Sequence, residues 1–308
     1  MPEKLSTIAI LLGSRNGESF LQQQLDSFTR QTYKYWQVYA SDDGSTDSTR
    51  SIIDGFLSTR LGEGFLCKGP QKGFAANFMS LVGNKDIQAN YYAFSDQDDV
   101  WHSEKLACAV SWLNTIDDDI PALYCSRTVL IDEDNKQIGL SPDYRKKPGF
   151  GNALLQNIAS GNTMVFNHRA RQLLAKAENM ALVAHDWSLY QIVTACGGIV
   201  HFDSNPRVYY RQHGKNTIGN GMSPLTRLSN FVAAHKGRSI MWNDRNNEVL
   251  KCVENDFTQE SKQMLASFKR IRDNTLMNRF RLMSRSGIYH QQLIGRVTTF
   301  TYVLLNKI

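Results

Sequence analysis

The first 100 residues of this chain alternate in a way that few folds can accommodate. Short apolar runs end on turn clusters, and each cluster opens into a segment with helical spacing. Ile8–Leu12 is a continuous apolar run, as expected of a strand buried on both faces, and it ends on Gly13-Ser14-Arg15-Asn16-Gly17. Phe20, Leu21, Gln24, Leu25 and Phe28 follow at helical spacing. Trp36–Ser41 reads as a second strand closing on Asp42-Asp43-Gly44-Ser45-Thr46-Asp47. Ser and Thr there can cap a helix that Ile52, Ile53, Phe56 and Leu57 continue. Phe65–Cys67 is a third strand, Phe74 to Leu81 a helix, and Tyr91–Ser95 a fourth strand ending on Asp96-Gln97-Asp98-Asp99. Strand, turn and helix in repetition imply an α/β fold with right-handed crossovers and a mostly parallel sheet. Ligands in such sheets sit at the carboxyl ends of strands. Three strands here end in polar clusters, two of them rich in carboxylates.

The middle of the chain is less regular. Ala122–Cys125 and Val129–Ile131 are strand-like around Ser126-Arg127, and residues 141–151, with two prolines and two glycines, read as a surface loop. Thr163–Phe166 is strand-like, Arg169–Ala177 and Asp186–Ala195 are helical, and Ile199–Phe202 and Val208–Tyr210 read as short strands. From about residue 215 the pattern turns helical and basic.

Charge divides along the same line. Residues 1–214 hold 20 basic and 23 acidic side chains, whereas residues 215–308 hold 15 basic and 6 acidic. The overall charge of +6 therefore belongs to the last third. The N-terminal apolar run is too short for a secretory signal, and no segment approaches the ~18–20 apolar residues of a membrane span. The five cysteines are scattered and lack a CxxC pair, so no disulfide framework or zinc cluster is expected. A cytoplasmic location follows as the expectation.

The carboxylate clusters suggest chemistry. Carboxylates within four residues repel unless a cation or hydrogen bonds offset the repulsion. Mg²⁺ commonly takes one or two carboxylates plus substrate phosphates, so Asp96-Gln97-Asp98-Asp99 after a buried strand suits a metal–diphosphate; a solvated acidic turn is the plain alternative. Asp42 or Asp43 could accept the imide N–H of uracil or thymine, or simply cap a helix. Asn16 suits base or ribose, or is only a turn residue. Asp186 opens an apolar helix, as an N-cap or as a base. His213 lies beside a glycine turn. Trp101 suits a core position or a ligand platform.

Taken together, these pieces resemble the family 2 glycosyltransferases. IAILLGSRNGESFLQQQLDSFTRQTYKYWQVYASDDGSTDSTRSII is similar to the opening of that family. KGFAANFMSL, AFSDQDDVWHSEKL, SGNTMVFNHRARQLL, HDWSLYQIV and YYRQHGKNTIG resemble its bacterial rhamnosyltransferase-like branch. The likeness covers about residues 5–218. It implies a GT-A type, Rossmann-like, mostly parallel sheet flanked by helices, followed by a C-terminal helical appendage. The implied division is a catalytic domain over 1–218, with a nucleotide-sugar half at about 1–100 and an acceptor half at about 101–218, and a basic helical region over 219–308.

The resemblance also implies roles. Asp42 or Asp43 holds the pyrimidine, with Ser14, Arg15 and Asn16 in the same pocket and Asn77 and Gln97 lining the nucleotide site. Asp96 and Asp98 form the D-x-D, with Asp98 the direct ligand of Mn²⁺ or Mg²⁺ and His213 completing the metal or diphosphate site. Asp186 is the catalytic base, where many relatives have Glu-Asp and this branch has His-Asp. Asp99, Trp101, Gly161, Asn162, His185 and Trp187 fall on the acceptor side. The family often has Thr-Tyr-Asn where this chain has Ser14-Arg15-Asn16, and the arginine suits a phosphate.

The implied activity is inverting transfer of a sugar, with dTDP-L-rhamnose the first donor and a UDP-sugar the second, to a lipid-linked bacterial surface polysaccharide at the inner membrane face. Nucleotidyl transfer is a second enzymatic reading, but the Gly13–Gly17 turn is poor in the basic residues a triphosphate needs. A nucleic-acid-binding module is a third, but no helix-turn-helix, zinc or aromatic RNA-binding signature is present, so no nucleic-acid partner is expected. In the tail, Leu225, Leu228, Phe231 and Val232, then Met264, Leu265, Phe268 and Ile271, then Phe280, Leu282 and Met283 are interleaved with Lys and Arg. That pattern suits anionic lipid, packing on the catalytic domain, or a homodimer contact.

Overall fold

In the computed structural model, residues 6–60, 64–213 and 237–308 are described. The first half folds as its alternation dictates. Strand β1 (Ile8–Ser14) leads to α1 (Leu21–Thr29), β2 (Trp36–Asp42) to α2 (Thr49–Ser58), β3 (Gly64–Lys68) to α3 (Phe74–Gly83), and β4 (Tyr91–Ser95) closes the series. These four strands lie parallel in the order β3-β2-β1-β4. Period-two alternation explains why helices cover both faces. Along β1, Ala9 and Leu11 enter one core, while Ile8, Ile10 and Leu12 enter the other with Leu25 and Phe28 of α1.

Beyond β4 the sheet is mixed. The later elements are β5 (Val100–Trp101), α4 (Lys105–Leu113), β6 (Ala122–Ile131), β7 (Gln137–Leu140), α5 (Phe150–Ala153), β8 (Val165–Asn167), α6 (His168–Ala175), α7 (His185–Ala195) and β9 (Ile199–Arg211). The sheet continues β4-β8-β6-β9-β5, with β7 paired to β6. Strand β8 is antiparallel to both β4 and β6, while β6 and β9 run parallel.

Two pairs of expected short strands are single long ones. Ala122–Cys125 and Val129–Ile131 belong to one strand, β6, and Ile199–Phe202 and Val208–Tyr210 to one strand, β9. The polar interruptions Ser126-Arg127 and Asp203–Arg207 sit where the β6–β9 register shifts, and Pro206 is accommodated at that irregularity. Residues 141–149 are irregular, as expected, and α5 begins at Phe150. Helix α4, not singled out from the sequence, carries Leu106, Ala109, Val110 and Leu113 at helical spacing into the second core.

The C-terminal helices are α8 (Ser239–Lys251), α9 (Gln259–Ile271), α10 (Leu276–Arg285) and α11 (Leu293–Leu304). Val249 and Leu250 of α8 and Leu265, Phe268 and Ile271 of α9 join the core formed by α3, α6 and α7. The apolar stripe of α9 therefore packs inward. The expected boundary at 218/219, and Leu225, Leu228, Phe231 and Val232, lie outside the described residues. All five cysteines are free thiols. Among the described residues no helix is long and apolar enough to cross a membrane.

Candidate active site

Register alone gathers the polar clusters. Ser14 stands opposite Asp42 across β1 and β2, and Leu12 opposite Ser95 across β1 and β4. The turns after these three strands thus share one end of the sheet. They form one wall of a cavity of about 2400 Å³, whose far walls come from α3, the 154–161 segment, the start of α7 and the C-terminal helices.

Ser14, Arg15, Asn16 and Asp43 of the strand-end turns and Asn77 of α3 all line the cavity. Asn16 takes a left-handed φ of 48°, which asparagine tolerates. Its Oδ1 accepts from the Thr46 N–H at 2.8 Å, tying the first turn to the second. Asn77 donates Nδ2–H to the Ser41 carbonyl at 2.9 Å. Asp43 accepts from the N–H of Gln71 at 2.5 Å and of Gly73 at 3.2 Å. Gly73, at φ 93°, supplies a backbone turn that a side chain would strain. Asp42 is 1% exposed and turned away from the lumen. It accepts from Ser14 Oγ, the Ser45 N–H and Arg50. Of the two candidate base-holding aspartates, Asp43 faces the cavity.

The acidic cluster divides by location. Asp96, Gln97 and Asp98 line the cavity. Gln97 accepts from the Arg15 N–H at 2.8 Å and donates to the Arg15 carbonyl at 2.9 Å, clamping the acidic loop to the first turn. Asp98 Oδ2 lies 2.7 Å from His213 Nε2. Burial, reinforced by the carboxylates of Asp98 and Asp186, pushes the Asp96 carboxyl up to about 7 against the pull of Lys105. Asp99 is fully buried, accepting from Asn162 Nδ2 at 2.6 Å and the Arg211 N–H at 3.2 Å. Burial and the neighbouring Asp98 and Asp96 hold its carboxyl well above the usual range.

Two buried basic side chains support this loop, and nothing in the sequence marks them as buried. Lys105 is fully buried, donating to the Asn162 carbonyl at 2.9 Å with its ammonium 3.2 Å from the Trp101 ring centroid. Desolvation holds it well below the ordinary lysine value despite Asp99 and Asp96. Arg211, also fully buried, spreads its guanidinium over the carbonyls of Asp98, Asp132 and Glu133 and over Gln23 Oε1. Arg211 stood in the YYRQHGKNTIG segment, but only its burial reveals the scaffold role.

Across the cavity, Asp186 sits in the first turn of α7, where the helix dipole favours a carboxylate. It accepts from the Gly161 N–H at 3.0 Å and the Trp187 N–H at 2.6 Å. Burial raises its pKa against these bonds. The N-cap position belongs to Ala184. His185 stacks on Phe78 at 4.1 Å, and neither of its ring nitrogens has a hydrogen-bond partner. Desolvation lowers its pKa to about 3. Gly161, His185, Asp186 and Trp187 line the cavity.

Three residues expected on the acceptor side serve the scaffold instead. Trp101 is 2% exposed and packs on Phe28 at 4.7 Å. Asp99 and Asn162 bond each other beneath the wall. None of the three contributes to the cavity lining. The reason is register: β5 and β9 pair at Trp101 and Val208, which turns the indole into the core under α1.

The donor set fits a hard divalent cation. Asp98 offers carboxylate oxygen and His213 imidazole nitrogen at one point of the lumen, which the Asp96 carboxyl also lines. Among the described residues no three His, Cys, Asp or Glu side chains converge as a complete cage, so substrate oxygens would have to complete the shell.

Comparison with known proteins agrees with this architecture. The chain is 27% identical over 265 residues to the dTDP-rhamnosyl transferase RfbG of Shigella flexneri, covering 81% of this chain and 86% of that one. It is 29% identical over 106 residues to the Escherichia coli enzyme WfgD, named UDP-Glc:alpha-D-GlcNAc-diphosphoundecaprenol beta-1,3-glucosyltransferase, covering 34% and 40%. The fold is shared with S. aureus TarS 1-349, solved with UDP-GlcNAc, at TM-score 0.57, 12% identity and coverage of 98% and 89%. Residues 10–177 match the sequence model of glycosyl transferase family 2. With a GT-A sheet and a polar cavity at its strand ends, this chain belongs to glycosyl transferase family 2.

Proposed function

We propose that this protein is an inverting, metal-dependent glycosyltransferase that moves L-rhamnose from dTDP-L-rhamnose onto a lipid-linked saccharide of the bacterial cell surface. The observation that carries the reading is the facing of Asp186 and the Asp98–His213 pair across one cavity, with the charge of Asp186 felt at Asp96. The donor rests on the likeness to a dTDP-rhamnosyl transferase along most of both chains. The acceptor class rests on relatives named for a diphosphoundecaprenol substrate and for teichuronic acid biosynthesis.

The residues supply a coherent division of labour. Asp43, Asn16 and Ser14 hold the nucleoside, and Arg15 at the cavity mouth pairs with phosphate. Asp98 and His213, with Asp96 lining the same lumen, would hold Mn²⁺ or Mg²⁺, which when bound supplies Lewis-acid charge for the departing diphosphate. The acceptor hydroxyl is a poor nucleophile at neutral pH. Asp186 takes its proton as the oxygen attacks the anomeric carbon, a contribution of roughly 10²–10⁴-fold. Its raised pKa brings it nearer the working pH while two backbone N–H groups keep it oriented. A single displacement assisted by one base inverts the anomeric centre. Residues 1–100 serve as the nucleotide half, 101–218 as the acceptor half and 219–308 as a basic helical region, working at the inner face of the membrane.

A UDP-sugar donor is the second reading, favoured by the UDP-Glc named for WfgD and the UDP-GlcNAc held by TarS. A thermal-shift screen of dTDP- and UDP-sugars with and without Mn²⁺ decides between them, since a ligand bound only by the native state raises the melting temperature. A dTDP-L-rhamnose shift that needs Mn²⁺, with dTDP release on adding acceptor, is the expected result. A shift with UDP-sugars alone replaces the donor assignment.

A further inference from the structure

Helix α11 has an inverted pattern. A helix packed on a soluble domain buries its large apolar residues and shows polar ones to water. Here Gly295, Thr299 and Val303 form the buried face. Leu293, Ile294, Val297, Phe300, Leu304 and Leu305 point outward and are between 44% and 75% exposed. At 100° per residue this stripe lies opposite the buried one. The buried glycine is a packing requirement, because a Cβ at Gly295 would fall 2.0 Å from His290 Nδ1. The helix is thus built to sit flush on the protein with its apolar side turned out. Contiguous exposed apolar surface of this kind marks an interaction face.

Two further observations select the occupant. Residues 276–308 contain Arg279, Arg281, Arg285, Arg296 and Lys307 and no acidic residue, so a negatively charged surface is complementary and a second copy of the same basic face is repelled. Ile294 and Val297 also line the cavity that holds Asp186, so the apolar face borders the candidate active site. Neighbouring α10 adds exposed Leu276 and Met277 and meets α11 through Phe280 on Phe300 at 4.7 Å.

We propose that α11 is an interfacial membrane helix: its outward stripe lies in the surface of an anionic bilayer and forms the lip through which a lipid-linked acceptor reaches Asp186. The acceptor half of this inference rests on the function proposed above, whereas bilayer binding needs neither donor nor acceptor. Binding of such helices grows with buried apolar area and with attraction of basic residues to anionic lipid.

The test is flotation of the full-length protein with vesicles containing phosphatidylglycerol, or with phosphatidylcholine alone. The wild type is expected to float with the anionic vesicles and poorly with the neutral ones. Leu293→Ser, Phe300→Ser and Leu304→Ser together should lower partitioning by roughly a hundredfold or more. Arg281→Glu with Arg285→Glu, both exposed, should lower it by about fivefold or more per residue. The dTDP–Mn²⁺ thermal shift should match the wild type in both variants. A wild type that stays at the bottom of the gradient, or variants that float equally well, overturns the proposal. So does a wild-type dimer that the serine variant dissolves without any lipid binding, which would give the face to a second copy. Vesicle binding without any nucleotide shift supports this inference and sinks the donor reading; a nucleotide shift without vesicle binding does the reverse.

Discussion

His213 Nε2 stands 2.7 Å from Asp98 Oδ2, although 115 residues separate them in the chain. The contact exists because β9 runs beside β6 and carries Arg211 under the acidic loop, where its side chain holds the Asp98 carbonyl. If these side chains hold the cation, Asp98→Ala abolishes the part of the dTDP thermal shift that depends on Mn²⁺. His213→Ala weakens Mn²⁺-dependent binding by at least about tenfold. Calorimetric dTDP affinity that is equal with and without Mn²⁺ in the wild type would refute the assignment.

Asp186→Asn removes the proposed base while keeping the size and much of the hydrogen bonding of the carboxylate. Turnover should fall by roughly 10²–10⁴-fold with nucleotide affinity unchanged. In the wild type the kcat profile should lose activity as pH falls through the Asp186 pKa. Burial raises that pKa, so the acid limb lies above the ordinary carboxylate range. Near-wild-type turnover in the asparagine variant removes Asp186 from the mechanism.

His185 couples stability to pH. Burial lowers its pKa to about 3, whereas the unfolded value is 6.5. Between these limits the unfolded chain binds more protons, so this residue's contribution is present above pH 6.5 and is lost as pH falls toward 3. The slope reaches about 1.4 kcal/mol per pH unit. Buried carboxyls with raised values, Asp96, Asp99 and Asp186, act in the opposite sense. The diagnostic quantity is therefore the difference between wild type and His185→Phe in urea unfolding at pH 7 and pH 5. The variant should lose less stability on acidification, and equal losses would contradict the prediction.

Arg211→Met should destabilise the protein by about 3–5 kcal/mol, because it strands several buried acceptors at once. Arg211→Lys keeps the charge but not the planar fork, and should recover only part of that loss. Urea midpoints read the stability. Weaker Mn²⁺-dependent nucleotide binding in the lysine variant would separate positioning of Asp98 from mere scaffolding.

Local chemistry was legible from residues alone. The strands Ile8–Leu12, Trp36–Ser41 and Tyr91–Ser95 appear with their polar ends, because period-two burial and turn residues are properties of short segments. Asp42 and Asp43 are indistinguishable along the chain, since both follow one strand and only the third dimension shows which carboxylate the Ser14, Ser45 and Arg50 groups consume. Trp101 next to the acidic cluster was equally ambiguous until β5 paired with β9 and turned it inward.

The α/β alternation, the order of the carboxylate clusters and the basic last third are set by neighbours a few positions apart and can be read along the chain. What depends on distant partners emerges only on folding. Tertiary packing buried Lys105 and Arg211 beneath the acidic loop, brought His213 to Asp98, and turned the apolar side of α11 outward while α9 turned its own inward. Amphipathic spacing reveals that a helix has two faces. Which face is covered depends on what packs against it, and here the small residues Gly295 and Thr299 gave α11 its seat on the protein.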